Sequence, residues 1–565
     1  MNRLITLLKN YKKYFLSLDR TEQTRVLFVV LSGLILFFCT LYASAKSSEF
    51  FATASDALVY TYLVGDGLKL HQIVLPDQHA NILKLPIFFL QSLFPYNYDS
   101  FMFLNILLVL IAVGAWAGLL IKLFGKRYSA LIFVLFSTLL LSSSTLNINL
   151  TEDTIRNIEF PIALWFIFIV NDVLRGARFT RWKYAISGLG LLLYALTLAG
   201  DNYFQYATTL PLIMVIFWYW LQSREFTKRM WQAVGVIVGV SIFASVIKFS
   251  LIKSGLIVID NTAVYATTIV PYNVLGASVT TAFAQLLSMQ GAFIFGQNIS
   301  AQNIAYFVNF GLLIAIVIAF CLILKKANRG FIRGRDLTEQ NNIVLAVIAL
   351  SFFTVFVVYI FSGQVVQLTN GRLVNHGELR YIAYMPLLGL VALIWLIKTY
   401  YSKHRRLIAA LFVISFIELI TLAPSIRQSY DSLINSAEPT RVVTDNIVGA
   451  LEKDKVNDVL TSYTYGAPIR FWSDSRIRYA PIINCNTPFY FNDREDWFKA
   501  DGDTHTALVI DRPSPFWDCS NKQLLSIYGQ PTQEMELSLG SGATVDIWVY
   551  NYDIRTKLMP FSDQY

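Results

Sequence analysis

Residues 26–45 read VLFVVLSGLILFFCTLYASA, a run without a charged side chain, flanked by Arg25 and Lys46. An α-helix rises about 1.5 Å per residue, so a run of this length covers about 30 Å, the thickness of a bilayer's hydrocarbon core. Water is absent there, and every backbone N–H and C=O must be paired within the segment. The run therefore predicts a membrane-spanning helix. The charged leader before it predicts a retained anchor, not a cleaved secretory signal.

Similar runs lie near 101–122, 128–145, 159–174, 183–199, 204–221, 231–250, 304–325, 341–362, 380–398 and 407–423, which predicts about eleven crossings. Composition agrees: 55% of the residues are hydrophobic and 15% charged, with a mean hydropathy of +0.51, whereas soluble domains carry about 25% charged residues. The net charge is +9. Lys12, Lys13, Lys126, Arg127, Arg175, Arg178, Arg181, Lys325, Lys326, Arg329, Arg405 and Arg406 fall in alternate loops, and the loops between them are poor in cations. Cation-rich loops stay cytoplasmic, so the N-terminus is expected in the cytoplasm, with outer loops at 46–100, 146–158, 255–303 and 363–379. Cations dispersed at helix ends orient a membrane protein and argue against a nucleic-acid partner.

The apolar runs stop near Pro424. Residues 1–423 are thus expected to form an all-α polytopic membrane domain and residues 424–565 a small α/β domain on the extracytoplasmic side. The expected elements of the latter are helices at 444–453 and 521–528 and strands at 456–463, 478–483 and 506–510. A hairpin of 534–539 with 543–550 is expected about Gly540-Ser541-Gly542. In the outer loops, 56–70 and 82–93 carry apolar residues at helical spacing, suited to helices along the interface, and the nearly uncharged 255–303 suits a re-entrant or interfacial helix. Cys39 and Cys321 sit in apolar runs. Cys485 and Cys519 sit in the tail, where an oxidising compartment would let them bridge.

The chain has no P-loop, no H-E-x-x-H, no C-x-x-C and no G-x-S-x-G. Groups able to do chemistry gather instead just outside the predicted spans: Asp56, Lys84, Glu152, Asp153, Arg156, Glu159, Asp201, Arg372 and Arg380. Any one of these is ordinary loop polarity. Together they fall on one side of the bilayer. An unpaired charge facing lipid costs roughly 2.5–3.5 kcal/mol, so Arg156, Glu159 and Arg380, at helix mouths, are expected to face a polar cavity or one another.

The stretch Ser55-Asp56-Ala57-Leu58-Val59-Tyr60-Thr61-Tyr62, followed by Gly65-Asp66-Gly67, Pro76 and Lys84-Leu85-Pro86, resembles the first outer loop of C-type glycosyltransferases. The aminoarabinose transferases of lipid A and the protein O-mannosyltransferases belong to this group. There an acidic residue or pair follows the first helix, a Tyr and a Gly come next, and Lys-Pro-Pro closes the loop. Ala57 replaces the second acidic residue of that pattern and Leu85 its first Pro. Asn149-Leu150-Thr151-Glu152-Asp153 resembles the place of the family's second acidic residue, and Arg380-Tyr381 followed by Pro386 resembles its Arg-Tyr start to a late helix.

The resemblance implies transfer of a sugar from a polyprenyl-phosphate carrier to a glycan or lipid acceptor at the outer face of the cytoplasmic membrane. An acceptor hydroxyl must lose its proton as it attacks the anomeric carbon, and Asp56 is the expected general base. The departing lipid phosphate needs fixed cations, for which Lys84 and Arg380 come first, then Arg156 and Arg372. Glu152 or Asp153 would orient the acceptor or help hold a divalent metal ion, a dependence that the sequence leaves open. Glu159, Asp201 and Tyr381 complete the expected substrate site. Two other readings stand: a transporter or flippase, which would place ionisable groups such as Lys248 or Glu418 near the midplane, and a polymerase or ligase of lipid-linked glycans.

Overall fold

The computed structural model describes residues 19–51, 73–76, 82–83, 98–151, 156–260, 269–298, 303–332, 342–363, 365–369, 372–375, 379–400, 441–489, 495–502, 505–511, 519–538 and 544–559. It is mostly helical, with a small sheet near the C-terminus. The membrane part runs α1 (Arg20–Phe51), β1 (Ile73–Pro76), α2 (Tyr98–Phe124), α3 (Ser129–Ser142), α4 (Ser144–Thr151), α5 (Glu159–Leu174), α6 (Arg181–Gly200), α7 (Leu210–Ser223), α8 (Lys228–Lys253), β2 (Ile257–Asp260), α9 (Leu275–Met289), α10 (Ile304–Ile332), α11 (Asn342–Phe361), β3 (Val366–Thr369), β4 (Arg372–Asn375) and α12 (Tyr384–Tyr400).

Among the described residues, seven helices are long and apolar enough to cross a membrane: α1, α2, α6, α8, α10, α11 and α12, the last counted from Leu379. This is fewer than the eleven runs in the sequence, and the differences have local causes. The run at 128–145 breaks where Ser143 turns extended (φ −153°, ψ 131°). Its hydroxyl takes up the Leu146 N–H at 3.3 Å, so it starts α4 as a separate helix. The run at 159–174 forms α5, which ends with Leu174 and a left-handed Gly176. The run at 204–221 opens with a π-helical turn, Gln205–Thr209, before α7. The run at 407–423 lies outside the described residues, as do the stretches 56–70 and most of 82–93.

α11 and α12 are the most enclosed spans and pack on α10, while α8 lies on α5 and α6, and α1 on α2 and α3. Polar side chains cluster at two ends of this bundle. At one, Lys398 Nζ donates to the Phe124 carbonyl at 3.3 Å, Arg229 to that of Arg175 at 3.2 Å, and Lys183 pairs with Asp172 at 2.9 Å. At the other, Asn105 Nδ2 donates to Ser48 Oγ at 2.8 Å, and the hydroxyls of Ser47 and Thr151 meet. β1 pairs in parallel with β2, joining the segments after α1 and after α8. The 255–303 segment holds a helix, α9, against α11.

The C-terminal part has a helix at 441–453 (α13), β5 (Asp458–Thr461), α14 (Tyr463–Trp472), β6 (Arg478–Ile483), β7 (Thr487–Pro488), β8 (Thr506–Asp511), α15 (Asn521–Tyr528), β9 (Gln533–Ser538) and β10 (Thr544–Tyr550). The sheet order is β7-β6-β5-β8-β10-β9, with β6, β5 and β8 parallel and the outer strands antiparallel. The strand expected over 456–463 stops at Thr461, because Tyr463 already starts α14. Alternation along β5 sends Val459 to the apolar layer shared with Val443, Ile447 and Leu451 of α13, and Leu460 to the layer shared with Leu524 and Tyr528 of α15. The Cys485–Cys519 disulfide joins the segment after β6 to the start of α15.

At the amino ends of the parallel strands Arg555 gathers three carboxylates: Asp458 at 3.0 Å, Asp501 at 2.5 Å and Asp553 at 2.9 Å. Arg478 closes the ring, 2.6 Å from Asp458 and 2.7 Å from Asp501. Burial pushes the Asp553 carboxyl up, but hydrogen bonds and charge from Arg555, with the Asp501 N–H, outweigh it and hold the carboxyl below its ordinary value. A pKa lower in the folded than in the unfolded chain stabilises above about pH 4 and loses that contribution as pH falls through the folded value. Near-ultraviolet dichroism should therefore show the domain weakening below about pH 4, and Asp553→Asn should reduce that acid dependence. Arg555→Met, which leaves Asp553 buried without its cation and Asp458 with Arg478 alone, should cost about 3–5 kcal/mol.

Candidate functional site

The residues that meet at the end of the bundle opposite Lys398 come from three elements. Arg156 lies in the turn before α5, where its carbonyl accepts the Phe160 N–H at 3.1 Å. Asp201 ends α6: its N–H still bonds the Thr197 carbonyl, while its Oδ1 accepts the Tyr203 N–H at 2.9 Å and bends the chain out of the helix. The π-helical turn that follows adds a residue to the register, a feature frequent at functional sites, and carries Tyr206. Arg380 and Tyr381 come from a short helical turn, Leu379–Tyr381, before α12.

Arg156 Nε donates to Asp201 Oδ2 at 2.5 Å, and both side chains are enclosed. The guanidinium carbon lies 4.4 Å from the centre of the Tyr203 ring and 4.7 Å from that of Tyr381, and the two rings, 6.4 Å apart and inclined by 50°, flank it on adjacent sides. Arg380 lies 5.8 Å from the Tyr381 ring on its own turn. Tyr203 and Tyr206 meet edge to face at 5.1 Å. Arg156 Nη2 and Tyr203 Oη are enclosed and have no hydrogen-bond partner among the described residues. Glu159 is buried in the first turn of α5, directly after the turn that carries Arg156.

Below this cluster Phe160 stacks on Tyr384 at 4.5 Å, and Tyr384 meets Trp116 at 6.1 Å. A small pocket is lined by Trp116, Leu140, Leu150, Asn157, Phe160 and Pro161. Its walls are apolar except for Asn157 and the indole N–H of Trp116, which is enclosed without a partner among the described residues.

Arg156, Asp201 and Tyr381 were each expected to touch substrate, and the structure turns them toward one another: Asp201 is the counterion of Arg156, and Tyr381 is one of its two aromatic walls. Arg380 and Glu159 lie at the same end. Arg372 is in β4, one strand away along the chain from this turn. Asp56, Lys84, Glu152 and Asp153 lie outside the described residues. Tyr203 and Tyr206 were missed by the sequence reading. Their signal was the run Asp201-Asn202-Tyr203-Phe204-Gln205-Tyr206, two tyrosines three residues apart just past an acidic helix end. Among the described residues no three His, Cys, Asp or Glu side chains gather as metal ligands.

No family model matches the chain, and no curated protein matches it in sequence.

Removing one partner of a buried ion pair leaves a bare charge, whereas replacing both with apolar groups removes the desolvation cost of each. Asp201→Asn is therefore expected to destabilise the protein by about 3–5 kcal/mol, and Arg156→Met with Asp201→Leu to recover most of that loss. Thermal unfolding in detergent measures both.

Proposed function

We propose that this chain is an integral membrane glycosyltransferase that moves a sugar from a polyprenyl-phosphate carrier to a glycan or lipid acceptor at the outer face of the cytoplasmic membrane. The observation that carries the reading is the enclosed Arg156 guanidinium. It is fixed by a carboxylate and two tyrosine rings, retains an Nη2 donor without a partner among the described residues, shares the Tyr381 ring with Arg380, and adjoins Asn157 of a small apolar pocket. A carrier of this class presents the same sequence of chemistry, an anionic phosphate at the end of a hydrocarbon chain. The Ser55–Pro86 resemblance supplies the remaining groups.

In this reading the Asp56 carboxylate accepts the proton of the acceptor hydroxyl as its oxygen bonds to the anomeric carbon. The bond from that carbon to the phosphate oxygen breaks, and the electron pair leaves with the lipid phosphate. Lys84, Arg372 and Arg380 face the growing negative charge, with Arg156 as a fixed positive charge behind them, and Glu152 or Asp153 orients the acceptor. Positions at helix ends favour this over transport, since a transporter's ionisable groups lie near the midplane on interrupted helices. The cation-rich end around Lys126, Arg127, Arg175 and Lys398 supports a cytoplasmic assignment for that side, and with it an extracytoplasmic C-terminal domain.

The test is single-turnover sugar transfer and carrier-phosphate affinity in detergent. Asp56→Asn should keep the fold and lower transfer by about 10²–10⁴-fold; a loss within about tenfold, or roughly 1.4 kcal/mol of barrier, removes Asp56 as base. Lys84→Ala and Arg380→Ala should weaken carrier binding, with Lys84→Arg partly restored. Unchanged affinity and transfer in both alanine variants would overturn the phosphate assignment. Cysteine labelling at Thr227 from outside, or at Asp503 only from inside, would reverse the proposed topology.

A further inference from the structure

α2 marks where the bilayer begins. Its exposed large apolar side chains, Phe103, Leu107 and Ile111, recur every four residues along one face, so its lipid-facing stripe starts at Phe103. Before that point the helix carries Asp99 in its first turn, and Phe101 is buried in the apolar layer of the C-terminal domain. Tyr98, the first residue of α2, lies five positions before Phe103, about 7.5 Å along the axis. The headgroup layer adds about 5–7 Å on each side of a hydrocarbon core of about 30 Å. Tyr98 therefore stands at the level of the headgroups, where amphipathic aromatic rings are enriched.

The C-terminal domain meets α2 at this level. Tyr98 stacks on Trp472 at 6.0 Å, and the Arg441 guanidinium lies over the Trp472 ring at 4.5 Å. Arg441 opens α13, whose inner side, Val443, Ile447, Val448 and Leu451, is buried in the domain. Arg441 and Val442 are on its outer side. The Arg441 side chain is 54% exposed, and its contact with Asp445 is long, at 3.9 Å, and open to water. Pairs of this kind contribute little, so the guanidinium keeps donors for another acceptor. Val442 is 52% exposed and, with Met559, makes up the exposed large apolar side chains among the described residues of the domain. A cation and a branched apolar side chain thus sit side by side at a helix start, next to an aromatic pair at headgroup level. The neighbouring helix says what covers them. α2 is long and apolar enough to cross a membrane, so the leaflet around its Tyr98 end is continuous with the contact between α2 and the domain.

We propose that the first turn of α13 docks on the bilayer at the Tyr98 end of α2: the Arg441 guanidinium donates to the phosphate of a lipid headgroup, and the Val442 side chain enters the same layer beside it. A guanidinium suits a phosphate because its planar fork can donate twice, and an apolar side chain beside a cation gains by leaving water for the interfacial layer. The contact gives the domain a second support on the membrane, besides the contacts of Tyr98 and Phe101 with α14. It is independent of the glycosyltransferase reading.

Fluorescence quenching in phosphatidylglycerol nanodiscs tests it, on the full chain with the unbridged Cys39 and Cys321 replaced by alanine and an environment-sensitive dye on Val442→Cys. Phe103→Cys marks the lipid-facing side of α2, and Glu534→Cys, exposed on the edge strand β9, marks water. A nitroxide on the lipid headgroup should quench the dye at Val442→Cys nearly as well as at Phe103→Cys, while soluble iodide should quench it far less than at Glu534→Cys. One cation beside an anionic leaflet favours contact about fivefold, so Arg441→Gln should lower the ratio of nitroxide to iodide quenching at Val442→Cys by about that factor. Iodide quenching equal to that at Glu534→Cys, with no effect of the nitroxide, overturns the proposal. A dye shielded from both quenchers means that a protein partner or a second copy covers the surface, and overturns it equally. So does a ratio that Arg441→Gln leaves unchanged.

Discussion

The Arg156–Asp201 pair decides how its end of the bundle is built. A guanidinium taken out of water must be matched by charge and by hydrogen bonds, and here the match comes from the end of one helix, α6, to the start of another, α5. Tyr203 and Tyr381 then flank the cation from two further directions, so three chain segments converge at this point. The bend after Asp201 and the π-helical turn at Gln205–Thr209 follow from this requirement: a regular helix continuing from α6 would carry Tyr203 out of reach of the cation. Below the pair, Phe160, Phe204, Tyr384 and Trp116 continue inward as an aromatic column.

The same end of the bundle receives the C-terminal domain. Tyr98 stacks on Trp472 at 6.0 Å and Phe101 meets Phe471 at 5.7 Å, so the first turns of α2 enter the domain's own apolar layer. Arg441 covers the Trp472 ring at 4.5 Å. Close packing within the domain leaves α14 little choice of position: a Cβ on Gly466 would lie 2.1 Å from the Tyr479 ring, so this residue must lack a side chain for the helix to seat on β6. The aromatic pair that touches α2 lies on that same helix. Packing inside the domain therefore sets how the domain meets the membrane helices.

Much of this was legible in the residues. Apolar run length located the helices, because lipid allows so few alternatives to a helix, and the alternation of β-branched and aromatic residues located most strands of the tail. The disulfide followed from the two tail cysteines. What the sequence hid was local interruption. Ser142-Ser143-Ser144 sits inside an apolar run that reads as one span, and only the Ser143 hydroxyl's capture of a backbone N–H divides it. The partnership of Arg156 and Asp201 was hidden for a different reason. Both residues were visible as charges at helix mouths, but which charge meets which depends on how α5, α6 and α12 pack, and pairwise packing leaves no periodic trace in a single sequence. The helix over Tyr463–Trp472 was similarly obscured, since its aromatic residues and Pro468 suit a strand or loop as well.

The two ends of the bundle differ in a way that bears on function. At the Lys398 end, cations are spread over several helix ends, reach backbone carbonyls or lie near the surface, and need no fixed geometry to orient the chain; Arg and Lys are interchangeable for that purpose. At the Arg156 end, one guanidinium is desolvated, flanked by two tyrosine rings and paired with a single carboxylate. Orientation in a bilayer requires none of this. Ordering a long side chain and stripping its water both cost free energy, and a chain that needed only polarity at this end could have met the need with solvated lysines. The geometry is suited to a task in which the direction of a donor matters, and recognition of an oxyanion at a membrane surface is such a task.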